Sequence, residues 1–319
     1  MKILLNLVRL LVALVFLFSG VVKLFDPMGM TLKLQAYLSV LGFATEPGSI
    51  FVVTAAIILG TFETAIGMHL LWGIRRKLTT RLLVMFMTML TLVTLYIYIA
   101  DPISDCGCFG DAVKLTNGQT LLKNLILWPM TIWLMLKSWD IVPFIKHSWA
   151  WFVSLSTHVA CLALGFYAWY DLPIMDFTPY KEGVHLRTAI VSEIPDFALF
   201  DDEGNDMTDS ILLVSEKTPT MLLAIPFEKF ANSGCHDQLN DLYDYCQEKG
   251  WKFYGVSAES DVEIEDWRDR TGATYPFVYS SSETLEAMVR SNPGLVLLKE
   301  GRVAGKWSYH KMLKVKDLH

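Results

Sequence analysis

The sequence predicts an α-helical membrane bundle followed by an α/β domain. Three observations carry this expectation. Five apolar stretches crowd into the first 170 residues. Charge divides at the same place: residues 1–170 hold 12 Lys and Arg against 7 Asp and Glu, a net of +5, and residues 171–319 hold 15 against 26, a net of −11. Beyond that divide, strand-like and helix-like segments alternate, the pattern of a mostly parallel sheet. The whole chain has 319 residues, 53% of them hydrophobic and 19% charged, where soluble domains run at about 45–50% apolar and about 25% charged. Its mean hydropathy is +0.37. Disorder and collagen are excluded, and five cysteines are too sparse for a small disulfide scaffold. No basic tract offers a nucleic-acid footprint.

A helix crossing the bilayer needs about 20 apolar residues. Segments 3–24, 50–73, 82–100, 121–138 and 149–170 meet that need. Asp26-Pro27 closes the first, Pro47-Gly48 precedes the second, and Arg75-Arg76-Lys77 follows it. Asp101-Pro102 ends the third, and Asp171-Leu172-Pro173 ends the fifth. Lys2 and Arg9 before an apolar run also suit a secretory signal, but no good small-x-small cleavage site follows, so the first segment is expected to be retained. Lys2, Arg75, Arg76, Lys77, Arg81, Lys137 and Lys146 fall on one side, against only Lys33 and Lys114 in the opposite loops of 25–49 and 101–120. The positive-inside rule then puts the N-terminus in the cytoplasm. Five crossings put residues 171–319 and the loop of 101–120 outside, in the periplasm of a bacterium whose inner membrane holds the chain.

That loop carries Cys106-Gly107-Cys108-Phe109-Gly110. Outside the cytoplasm disulfides are permitted. A bridge between residues i and i+2 closes a tight ring, and strained, exposed disulfides are the exchanging kind. Glycine reaches φ > 0 freely and eases the turn. A redox-active dithiol is therefore expected at Cys106 and Cys108. Two inert loop thiols are the plainer alternative. Metal binding is disfavoured, because no further Cys or His lies nearby in the loop. Glu63 falls near the centre of the second segment, where an ionisable group is costly and usually functional. It reads as a proton or quinone site, or as a structural hydrogen-bonding group. Lys23 could reach it or snorkel to the interface. His69 reads as interfacial, His158 and Cys161 as packing residues, and Gly60 and Gly67 as helix-packing positions.

Ser19-Gly20-Val21-Val22-Lys23-Leu24-Phe25-Asp26-Pro27 resembles the signature of DoxX-type membrane proteins, and Cys106-Gly107-Cys108-Phe109-Gly110 resembles the loop of the methylamine-utilisation MauE proteins. The resemblance covers residues 1–140. It implies a four-helix membrane bundle, with a fifth helix and linker in 141–192, and a role near periplasmic disulfide chemistry, such as maturing or reducing a partner protein. DoxX was named as a subunit of a thiosulfate:quinone oxidoreductase, which makes a membrane quinone the one cofactor to consider.

In the remainder, 194–200, 219–225, 251–257, 275–279, 294–299 and 303–307 read as strands. Segments 234–249, 260–271 and 282–290 read as helices. Residues 171–192 read as a linker. The order resembles a thioredoxin-like domain over 193–319. Ile194-Pro195-Asp196-Phe197 is similar to the opening of periplasmic reductases of that fold, and Asn292-Pro293 stands where it keeps a cis-proline. The Cys-x-x-Cys of that fold is missing. Cys235 alone falls at the expected helix start, where the dipole would favour a thiolate; it reads as an incidental residue, with a reactive thiol as the weaker alternative. Cys246 reads as a core residue of the same helix. The domain is therefore expected to bind a protein client, leaving the chemistry to Cys106 and Cys108. A non-catalytic scaffold and a quinone-linked subunit centred on Glu63 stand as alternatives.

Overall fold

The computed structural model describes residues 2–102, 106–192, 194, 196–258 and 261–318. Ile103, Ser104 and Asp105 of the cysteine loop, and Pro195 of the expected reductase-like opening, lie outside the described residues. The chain divides into two compact units: residues 1–169 with 173–175, and residues 170–172 with 176–319.

The first unit is helical: α1 (Lys2–Phe25), α2 (Pro27–Val40), α3 (Ile50–Trp72), α4 (Arg76–Ala100), α5 (Asn117–Leu136) and α6 (His147–Tyr170, whose last residue falls in the second unit). Among the described residues, α1, α3, α4 and α6 are long and apolar enough to cross a membrane. The expected fourth span, 121–138, forms as α5 but is not among them; Asn117, Gln119, Lys123 and Asn124 make its first half polar. Its packing is nevertheless antiparallel along α4. The Asn117 amide donates to Asp101 at 2.8 Å, Trp128 Nε1 to Thr88 at 2.9 Å, and Arg76 at the start of α4 to the Trp139 carbonyl at 3.1 Å.

α1 and α3 approach closely through glycines. A Cβ at Gly20 would stand 2.5 Å from the Thr64 nitrogen and 2.7 Å from the Gly60 carbonyl, and one at Gly67 would stand 2.9 Å from the Leu17 nitrogen. Gly60 and Gly67 are thus packing positions, as their small size suggested. Buried Arg9 ties α1 to the end of α3, donating to Leu70 at 2.7 Å, Leu71 at 2.6 Å and Val142 at 2.8 Å. The guanidinium satisfies carbonyls that a helix C-terminus leaves without partners.

One expected loop is largely helical. Within 25–49, α2 starts directly after α1: Asp26 accepts from Gly29 N at 2.8 Å and Pro27 takes the first helical position. An Asp cap followed by Pro begins a helix as readily as it ends one.

The second unit carries five strands: β1 (Thr220–Ile225), β2 (Lys252–Ser257), β3 (Phe277–Tyr279), β4 (Gly294–Lys299) and β5 (Arg302–Ser308), in the order β3-β2-β1-β4-β5. β1, β2 and β3 run parallel, while β4 and β5 run antiparallel to their neighbours. Period-2 alternation sends β1 side chains to both faces. Leu222 and Ala224 join the core under α8 (Thr208–Lys217) and α11 (Ser282–Met288). Met221, Leu223 and Ile225 join that under α9 (His236–Lys249) and α10 (Asp261–Thr271). A mixed sheet with helices on both faces is the thioredoxin-like arrangement expected from the sequence, and the Asn292–Pro293 peptide is cis. Segment 194–200 is not a strand; Phe200 makes only isolated bridges to Asp206 and Tyr279. The stretch expected as a linker contains a short helix, α7 (Leu186–Ser192), and gives Tyr180 and Leu186 to the core.

Candidate functional site

The cysteine loop is pinned to the helical bundle by its carbonyl oxygens. Lys23 on α1 donates to the Cys108 carbonyl at 2.5 Å, and Tyr37 on α2 donates to the Cys106 carbonyl at 2.7 Å. Gly107 lies between them at φ +64°, and a Cβ there would meet Lys33 Cγ at 2.9 Å. Gly110, at φ +54°, closes a turn onto the Gly107 carbonyl at 3.0 Å. Both glycines of the motif thus hold backbone conformations that side chains resist. The result sets the Cys106 and Cys108 sulfurs 2.8 Å apart as free thiols, against the about 2.05 Å of a disulfide bond.

Beneath the loop lies a buried charge pair. Lys23 Nζ is 2.8 Å from Glu63 Oε2, with the two side chains 2% and 4% exposed. Lys23 also donates to Ser19 Oγ at 2.7 Å, and that hydroxyl lies 2.7 Å from both Glu63 Oε2 and the Cys108 carbonyl. Of the two readings of Lys23, reaching Glu63 is the one the structure has. Burial of an ion pair is tolerated where further hydrogen bonds support it; Ser19 Oγ and the Cys108 carbonyl take up Lys23 protons beyond the one given to Glu63.

Lys123 of α5 adds a second cation, 4.3 Å from the Phe109 ring centroid, while Phe109 meets Phe18 edge-on at 5.4 Å. The thiols titrate unequally as a consequence. The Cys106 thiol donating to it, with Lys123 and Lys23 nearby, holds Cys108 down at about 6. Cys106 is pushed up, because its proton is held between the sulfurs and the site is buried.

A cavity of about 170 Å³ adjoins this group. Its lining includes Lys23, Glu63, Lys123 and both cysteines, together with the apolar side chains of Met30, Leu34, Met89, Leu90 and Val93. Sequence reasoning missed Tyr37, Lys123 and Asn124. Each is an ordinary residue in sequence, and only the packing of α2 and α5 brings it here.

Other expected residues stand apart from this site. His69 Nε2 lies 3.0 Å from Ser154 Oγ, and its ring is 5.8 Å from that of His158. Cys161 packs with Leu24, Val53 and Ile57. Among the described residues no cluster of three His, Cys, Asp or Glu side chains could hold a metal ion.

Cys235 stands at the N-cap position of α9, as the sequence places it, but its thiol is buried, 3% exposed, and burial pushes it up to about 11. Desolvation outweighs the helix dipole there. Asn232, three residues earlier, accepts from Gly234 N at 2.8 Å and holds the place of the first cysteine in a Cys-x-x-Cys spacing. Its backbone N–H donates to the Asn292 carbonyl at 3.2 Å, beside the cis-proline. Cys246 is fully buried in the core, as expected, and burial pushes it up to about 12.

These features define a helical membrane domain bearing a dithiol loop over a buried ion pair, joined to a thioredoxin-like domain without a dithiol. Residues 1–137 match the family model described as methylamine utilisation protein MauE. That match and four helices long and apolar enough to cross the bilayer make the chain a membrane protein. No curated protein matches the chain. Among solved structures, the solution structure of a "putative protein disulfide isomerase" from Bacteroides thetaiotaomicron is similar over 39% of this chain and 81% of its own, with 20% identity and a TM-score of 0.30.

Proposed function

We propose that the protein is a membrane thiol–disulfide oxidoreductase of the bacterial inner membrane, and that Cys106 and Cys108 exchange electrons with a periplasmic protein client during its maturation. The observation that carries this reading is the pair of free sulfurs held 2.8 Å apart in a loop fixed through both cysteine carbonyls. A thiol activated to about 6 is largely thiolate at neutral pH, the form that attacks a disulfide. The match of residues 1–137 to the MauE model supports the same class.

The α/β domain serves as the client-binding module. Its two described cysteines, Cys235 and Cys246, are both buried with their thiols raised, which supports docking over chemistry. The chain crosses the bilayer five times, through α1, α3, α4, α5 and α6, with its N-terminus in the cytoplasm and residues 171–319 in the periplasm. The antiparallel course of α5 along α4 supports counting it as a crossing: its 20 residues rise about 30 Å.

Thiol trapping in cells tests the reading. In wild type the pair cycles between dithiol and disulfide, and Cys106→Ser and Cys108→Ser each abolish client oxidation or reduction. Cysteines that never change redox state, with both variants behaving as wild type, would sink the proposal.

A further inference from the structure

At the end of α4 away from the cysteine loop, three consecutive cations meet one cavity. Arg75, Arg76 and Lys77 line an open space of about 330 Å³, together with Leu78, Ser138 and Trp139. Successive residues of a helix do not face each other. Here the run is broken, because Arg75 lies outside the helix in the left-handed region, at φ +42°. That backbone is uncommon and strained for a residue with a side chain. Arg76 donates to the carbonyls of Trp139, at 3.1 Å, and Ile141, and so fastens the turn after α5 to the start of α4. Trp139 is thereby set against the cations: Lys77 Nζ is 3.9 Å from its ring centroid and Arg76 Cζ 6.0 Å.

Charge narrows the occupant. Among the described residues no carboxylate lines this space, and the side chains of Arg75 and Lys77 make no hydrogen bond or ion pair. Like charges gathered in one cleft repel, and an anion relieves the repulsion. The neighbouring cleft of Lys2 and Lys137 already holds an acid, Asp140. Position narrows it further. Leu78 and Trp139 form the apolar part of the lining and are 49% and 69% exposed. A tryptophan exposed at the end of a membrane helix marks headgroup depth. Met85 and Leu92 follow Leu78 at seven-residue spacing and are exposed as well. They continue an apolar strip from the cavity along a helix suited to cross the membrane. A small anion from water would use the cations and leave this strip unused, whereas a lipid uses both.

We propose that this cavity binds the phosphodiester headgroup of an anionic membrane phospholipid. Arg75 and Lys77 hold the phosphate oxygens, the guanidinium as a planar fork and the ammonium as a point charge. Arg76 keeps the turn in place and adds its charge. One acyl chain follows Leu78, Met85 and Leu92. A phosphatidylcholine would bring its own cation to a cleft of three cations, and the Trp139 face that could receive that cation is taken by Lys77. An anionic head such as phosphatidylglycerol is therefore preferred. The site is independent of the dithiol and of its chemistry.

The test uses the delipidated full chain in a non-ionic detergent. It is titrated separately with phosphatidylglycerol, phosphatidylcholine and inorganic phosphate, and bound adducts are counted by native mass spectrometry. Phosphatidylglycerol should bind at least about tenfold tighter than either of the others. Arg75→Gln combined with Lys77→Gln should weaken it at least about tenfold. Arg81→Gln, one turn beyond Lys77 and outside the cavity, should leave it unchanged. A phosphatidylglycerol with a diazirine in its headgroup, added to the wild type, should label residues 75–78 or 138–139; this arm stands even where the double variant fails to insert. Equal binding of the two lipids overturns the proposal. An equal loss from Arg81→Gln means diffuse charge and overturns the site, as does labelling confined to other segments. Inorganic phosphate bound as tightly as phosphatidylglycerol overturns the lipid as occupant.

Discussion

Cys108 stands between a neighbouring thiol and two lysines, and this sets its reactivity. Its thiolate persists above about 6, whereas an ordinary thiol needs about 8.5. Alkylation of Cys108 should therefore rise as pH climbs through about 6 and be nearly flat by neutrality. Cys106→Ala removes the first cause of that shift, so the midpoint should move up; mass-resolved alkylation across pH checks it, and an unmoved midpoint would contradict the account. Glu63→Gln leaves Lys23 charged and buried without its partner. Breaking such a pair costs about 3–5 kcal/mol, so the variant should melt markedly lower in a thermal unfolding scan. The main members of the site were legible because they break local rules: an acid in mid-membrane and a Cys-Gly-Cys in an outer loop, with Lys23 near enough to a helix end either to reach the acid or to snorkel. Tyr37 and Lys123 break none, and at Cys235 the helix start is visible in sequence while the burial of its thiol is not.

Helices α1 and α3 meet along a seam where backbone, not side chains, sets the distance. Gly20→Ala would press a methyl against the Thr64 nitrogen and the Gly60 carbonyl. Backbone in a packed helix cannot step aside, so the variant should lose about 1–3 kcal/mol of bundle stability. Gly165→Ala meets the Ile57 side chain at 2.8 Å, which can rotate, and should lose less; equal melting temperatures for the two would contradict this. Because Ser19 and Lys23 share α1 with Gly20, the seam also positions the ion pair. Long apolar helices and the alternating strands of the sheet were readable from periodicity. α2 is hidden in the sequence because Asp26-Pro27 reads as the end of one helix, while it is also the cap of the next. Segment 194–200 has strand composition but gains only bridges at Phe200, a pairing that depends on distant Tyr279.

At the scale of the whole chain, composition separates a membrane body at +5 from an α/β domain at −11, and the structure divides it at nearly the same residue. Deleting 176–319 should preserve dithiol exchange with small thiols and abolish capture of the protein client; retained capture would remove the docking role. A reporter active only outside the cytoplasm, fused after residue 319, should be active, and silence would mean that α5 does not cross. The most direct measurement of the central claim is the redox state of Cys106 and Cys108 in living cells, trapped by acid and read by mass. The account predicts a mixture of dithiol and disulfide that shifts with growth redox conditions, and a mixed disulfide between Cys108 and a client when Cys106 is replaced. Permanently reduced cysteines with no trapped partner would contradict it.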